Sequence, residues 1–213
     1  MLLGIIWAAA APLLLLPIGA FLVLLLSFTG WSRRIRIAVS AGMVIVTVSS
    51  LWWSDYREFT SVCERVGKPR ITMRAKADGI YLDSPTANSF GMNYLHQQGF
   101  AWMEMRSIYD RGRIERVIRE ASGRIRTEPI EAITARYEVL ETFQQPYSHT
   151  SVDMKRVIDR YTGTVMAQAG SVHFDGGRTR WVLGVYGTRH FPNAMTNGDD
   201  FQTYYYLAQR TLR

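Results

Sequence analysis

The sequence predicts a membrane-anchored α+β protein: an N-terminal two-helix transmembrane hairpin, then a mainly antiparallel β domain with a short C-terminal helix. Three observations carry this reading. Residues 1–53 hold only Arg33, Arg34 and Arg36 as charged side chains, whereas all 18 acidic residues follow Trp53. Near Lys68 the apolar period changes from that of a helix to that of strands. From there on, glycines stand between β-prone runs at positions that suit hairpin turns. A mean hydropathy of −0.06 with 47% apolar residues would fit a soluble protein, but it averages over two unlike parts.

The uncharged run Leu2–Phe28 exceeds the roughly 20 residues that a bilayer core requires. It is too long for the apolar region of a secretory signal, and no basic segment precedes it. Pro12 and Pro17 should kink or tilt this first span, at about 2–28. A turn at Thr29–Ser32 and a short arginine-containing loop lead to a second apolar run, 37–53. So brief a connection makes the two helices antiparallel neighbours. Ala38 and Gly42, four apart, would let their backbones approach closely, and Trp31, Trp52 and Trp53 suit the two interfaces. The positive-inside rule puts Arg33–Arg36 in the cytoplasm and both termini outside. Arg57, Arg65, Lys68 and Arg70 follow the second run, but long domains cross membranes largely regardless of charge.

Tyr56, Phe59, Val62, Cys63 and Val66 continue an apolar stripe at helical spacing, which predicts a helical stalk over 54–67. Gly67 and Pro69 end it. The expected β domain covers 68–213. Its strands are Ile71–Ala77, Gly79–Leu82, Phe100–Arg106, a hairpin over 114–126, and Ala135–Phe143. Val157 onwards forms a hairpin about Arg160–Gly163 that runs to Phe174, and after Asp175–Gly177 a third meander strand covers Trp181–Tyr186. Asp199 or Asp200 caps a C-terminal helix that buries Phe201, Tyr204, Tyr205, Ala208 and Leu212. The helix-borne spacing Phe59, Cys63, Gly67, Ile71, the Asp159–Gly163 hairpin with Ala167, and the Gly176–Gly177 turn resemble a group of small membrane-anchored bacterial proteins without an assigned function. The resemblance covers most of the polar domain. It implies a bacterial protein and brings no active site with it.

The sole cysteine, Cys63, excludes an intrachain disulfide and a cysteine-based zinc site, and its place on the apolar stripe makes it core. His96, His149, His173 and His190 form no spaced metal pair, although His173 and Asp175 share a strand face. No nucleophile elbow, phosphate loop or dinucleotide fingerprint is present, so no catalytic residue, metal or cofactor is implied. Seven arginines lie between Arg106 and Arg126, interleaved with acids and without a nucleic-acid module. The candidate partner or headgroup contacts are therefore Arg111, Arg113, Arg116 and Arg119, with Tyr204, Tyr205 and Tyr206, because three consecutive tyrosines cannot all face one core.

The expected role is a non-enzymatic accessory or assembly subunit. It would sit in a bacterial inner membrane, with the domain periplasmic or otherwise extracytoplasmic. Its expected partners are membrane lipid and other subunits or further copies of itself, not nucleic acid. An extracytoplasmic ligand or peptide sensor, or a carrier for an envelope component, is the alternative; an enzyme ranks third.

Overall fold

The computed structural model describes residues 18–24, 26–84, 86–87, 93–107, 110, 113–192 and 198–213. Most of the expected first span, 2–28, lies outside these residues. An apolar helical stretch, Ile18–Thr29, covers its end. Among the described residues, one helix is long and apolar enough to cross a membrane, and only 6% of its apolar window is buried. A core helix of a soluble protein would be mostly covered. The chain divides into two compact units: residues 1–62, 145–151 and 173–190 form the first, and the remainder forms the second.

In the first unit, α1 (Arg33–Val62) begins at Arg33, so the three arginines expected in a loop lie in its first turn. It runs without a break from Trp53 through Phe59, and a π-helical turn, Cys63–Gly67, follows it. Ile35, Ile37, Met43, Ile45, Val46 and Trp53 are all exposed along it. Trp52, Tyr56 and Phe59, at i, i+4 and i+7, share one face. Trp52 stacks on Tyr56 at 4.6 Å between ring centroids, and Phe174 meets Phe59 at 5.8 Å.

The meander strand expected over Trp181–Tyr186 is instead helical. Arg180–Leu183 makes one α turn, α2, and Gly184–Gly187 a 3-10 turn. β-prone letters lose here to tertiary context. Gly176 (φ 97°) and Gly177 (φ 62°) turn the chain back. The indole Nε1 of Trp52 then donates to the Gly187 carbonyl at 3.4 Å.

The second unit is built on a mostly antiparallel sheet. Its strands are β1 (Arg70–Ile71), β2 (Gly79–Leu82), β3 (Trp102–Arg106), β4 (Ile114–Arg119), β5 (Ile125–Ile130), β6 (Tyr137–Tyr147), β7 (Thr150–Asp159), β8 (Thr164–Phe174) and β9 (Arg189–Phe191). The order is β1-β8-β7-β6-β2-β3-β4-β5, with β9 also on β8. The far ends of β6, β7 and β8 belong to the first unit. Glycines close the two hairpins the sequence predicts: Gly123 (φ 82°) donates to the Glu120 carbonyl between β4 and β5, and Gly163 (φ 70°) to that of Asp159 between β7 and β8. On the outer strand β5, Pro129 stands opposite Glu115.

Strand β2 departs from the hairpin pattern, because it is parallel to both neighbours, β3 and β6. A parallel pair needs a crossover, supplied here by α3 (Asn93–Gln98), which the sequence reading leaves out. All four residues of β2 are buried, as expected of a parallel strand covered on both faces. Ile80, Leu82, Tyr94, Leu95, Phe100, Leu207 and Leu212 are at or below 1% exposure and form the heart of the core.

The strand expected over Ile71–Ala77 stops after Ile71. The amides of Ala75 and Ala77 bond to the carbonyls of Thr211 and Leu212, so the chain follows the C-terminus. That terminus is two helices, α4 (Gly198–Tyr205) and α5 (Leu207–Leu212), with Asp199 and Asp200 in the first turn of α4. Gly79 pairs with Trp102, and a Cβ there would run into the indole. Gly79→Ala should therefore destabilise the protein by about 1–3 kcal/mol, read as a lower urea midpoint in detergent.

Candidate functional site

The one fully buried cation among the described residues is Lys155, at 0% exposure on β7. Burial on β7 alternates by two from Thr150 to Met154 and again from Lys155 to Asp159, with a slip of phase between Met154 and Lys155. Successive residues of a strand point to opposite faces, so the covered face changes at this point, and Lys155 stands on the face that meets the tyrosine rings. Its Nζ lies 4.5 Å from the Tyr204 ring centroid and 5.9 Å from that of Tyr94, and donates to the Tyr204 carbonyl at 3.5 Å. The Tyr204 hydroxyl donates to Glu141 Oε1 at 2.9 Å, and the Glu141 amide to Thr86 Oγ1 at 2.8 Å. Burial pushes the ammonium down to about 8, against the opposing charge of Glu141. Burial also raises the Tyr204 phenol.

A lysine so tuned has the basicity of a nucleophile or base. Its surroundings favour a structural part, because rings and backbone cover it. Gln98, also at 0% exposure, closes the same region: its amide donates to the Tyr205 carbonyl at 3.0 Å, and its oxygen accepts the Gln209 amide at 3.2 Å.

Of the two buried acids among the described residues of the second unit, Glu104 is fully covered, at 0% exposure. Its oxygens accept the amides of Thr134 (2.7 Å) and Ala135 (2.8 Å), the Thr134 hydroxyl (2.7 Å) and Arg116 Nη2 (2.7 Å). Burial alone would raise this carboxyl, but these bonds outweigh it and hold it below its usual range. Asp159 is likewise held low by Arg136, at 2.8 Å.

In the first unit, Asp55 is 4% exposed and takes the backbone amide of Arg178 at 2.7 Å, its Nε at 3.0 Å and its Nη2 at 2.8 Å. Asp175 lies 3.2 Å from His149 Nδ1 and accepts the Gly177 amide at 2.9 Å. His173, which the sequence pairs with Asp175, faces His190 at 6.1 Å between centroids. Cys63, expected in the core, is half-buried with a free thiol. Among the described residues no three His, Cys, Asp or Glu side chains converge on a common point.

The candidate contact residues fall in different settings. Arg111 lies outside the described residues. Arg113 is exposed, 3.5 Å from Glu115, while Arg116 is tied to Glu104 and to Thr134 Oγ1. Arg119 is half-buried opposite Ile125. Tyr204, Tyr205 and Tyr206 are all half-buried. The Tyr205 hydroxyl donates to Gln97 at 3.0 Å, and Tyr206 meets Tyr205 edge-on at 5.1 Å. Ala38 and Gly42 lie exposed on α1, with open space where a Gly42 Cβ would stand. The lysine and the acid that organise the domain, Lys155 and Glu104, are absent from that set. The sequence hints at them only as charges inside β-prone runs.

Comparison with known proteins gives no match to a family model, a curated protein or a solved structure.

Between about pH 8 and the ordinary lysine value of 10.5, the folded protein binds fewer protons at Lys155 than the unfolded chain does. This group should therefore make stability rise with pH across that window. Lys155→Met should raise stability at pH 7 by on the order of 1–3 kcal/mol and flatten the rise, as urea titrations at several pH values would record. Glu104→Ala should have the opposite sign, at about 3–5 kcal/mol, because it leaves Arg116 and two amides without their acceptor. The Glu104 contribution is present above the ordinary carboxylate range and fades as pH falls through it.

Proposed function

We propose that the protein is a non-enzymatic, membrane-anchored accessory or assembly subunit whose β domain binds a protein partner. The observation that carries this reading is the saturation of the buried acids. Glu104, Asp55 and Asp159 are each engaged by an arginine and by backbone amides, so they act as ties within the fold. An acid–base residue in a catalytic site keeps its reactive atoms for the substrate. Recognition needs only surface, and Phe143 supplies an aromatic side chain 67% exposed on β6, an interior strand.

The exposed apolar length of α1 supports the membrane anchor, and the uncharged run Leu2–Phe28 supports a second, antiparallel span before it. With Arg33, Arg34 and Arg36 at the cytoplasmic end, the domain is extracytoplasmic, on the periplasmic side of a bacterial inner membrane.

Two measurements test the proposal. Alkaline phosphatase fused to Arg213 should be active and green fluorescent protein at the same position dark; the reverse overturns the orientation. A photo-crosslinking residue at Phe143 should give a discrete adduct with another chain in intact membranes. No adduct there, together with a monodisperse monomer in mild detergent, would overturn the subunit reading.

A further inference from the structure

The segment Arg178–Arg189 makes an excursion beside α1. It leaves the helix at Asp55, held by Arg178, and comes back to it at Gly187, held by the Trp52 indole. Between these two ties the residues are Thr-Arg-Trp-Val-Leu-Gly-Val-Tyr. An excursion confined to the level of Asp55 and Trp52 would stay beside the polar end of the helix. This one does not. Trp181 lines a groove of about 610 Å³ together with Val44, Thr47, Val48 and Leu51, and Leu183 lines another with Val48, Trp52 and Trp53. Val48 stands one helical turn before Trp52, and Val44 two, towards the apolar middle of α1.

The surfaces on this excursion are apolar and open. Trp181 is 44% exposed and Trp53 57%, and Val46, exposed on α1, lines the same groove as Trp181. Cations stand at its two ends. The Arg180 side chain is 69% exposed, 3.7 Å from Asp175, and the Arg189 guanidinium lies 5.7 Å from the Trp52 ring centroid. Apolar tip, tryptophan border and arginine rim form the sequence in depth of a bilayer: acyl chains, interface, phosphates.

The geometry points to residues 180–187 as a wedge seated in the bilayer leaflet around the Trp52–Trp53 end of α1, with Trp181 among the acyl chains and Arg180 and Arg189 at the phosphates of anionic phospholipid. This rests on the reading of α1 as a membrane span and adds a second point of insertion to it. The occupant is lipid because the apolar surface of the wedge is continuous with that of the span, and the cations bound it where headgroups lie.

The test uses the full chain with Cys63→Ala, reconstituted in vesicles of phosphatidylcholine and phosphatidylglycerol. A nitroxide is attached to Trp181→Cys, to Val46→Cys as the span reference, or to Ser122→Cys as the aqueous reference. Accessibility to oxygen and to a water-soluble nickel complex then gives the depth of each label. The expected result places the label at position 181 about 5–10 Å below the headgroup boundary, shallower than the label at 46. A label at 46 in the bilayer with one at 181 in water overturns the wedge and leaves the anchor standing. A label at 181 shielded from both reagents means protein covers the site, and also overturns it. Labels at both 46 and 181 in water overturn the anchor and the wedge together. Arg180→Cys, labelled in the same way, keeps the test open should Trp181→Cys fail to fold: its label should sit at the headgroup boundary, and a fully aqueous one counts against the wedge.

Discussion

A carboxylate carried on an apolar helix has to be matched where it stands, and Asp55 is matched by Arg178. The match is geometrically demanding, since one carboxylate takes a backbone amide and the guanidinium of the same residue. It dictates the turn that presents Arg178. A Cβ on Gly177 would collide with the Asp55 carboxylate, and both Gly176 and Gly177 hold positive φ. Once the turn is fixed, Phe174 on one side of it meets Phe59, and the Arg180–Gly187 segment on the other side lies along α1. Much of the first unit follows from one acid that cannot be left bare.

The second unit obeys the same constraint with different partners. Glu104 gathers Arg116 from the next strand and the amides of Thr134 and Ala135 from the approach to β6. Gln98 joins the crossover helix α3 to the two C-terminal helices. Lys155 differs in being faced by the rings of Tyr94 and Tyr204, and burial pushes its ammonium down. Each of these groups sits at 0% exposure and links segments far apart in sequence, so each selects one arrangement of the domain among several that would bury similar area.

What the sequence discloses about this fold is the part decided locally. The uneven placement of charge marks α1, and glycines at 123 and 163 mark the two hairpins, because positive φ is a property of one residue. What it conceals depends on distant partners. Strand β2 lies parallel to strands on both sides, and nothing in Gly79–Leu82 distinguishes that from an antiparallel hairpin arm. Trp181–Leu183 is composed of β-prone residues and becomes helical only because α1 offers an apolar wall beside it. The polar ties are the least legible. Glu104 and Arg116 are twelve residues apart, and only the pairing of β3 with β4 sets them face to face. The burial of Lys155 depends on which face of β7 is covered at that point, which composition does not record.

Pro129 on β5 bears on how the sheet ends. A proline nitrogen has no hydrogen to give, so at the Glu115–Pro129 pair it suits only the ladder position where the nitrogen points away from β4. That is the side on which an incoming strand would seek a donor. With the donor missing and Arg126 and Glu128 nearby, the outer border of the sheet is a poor template for adding another strand. Copies of the chain that meet at this border are thereby discouraged from joining edge to edge into fibrils.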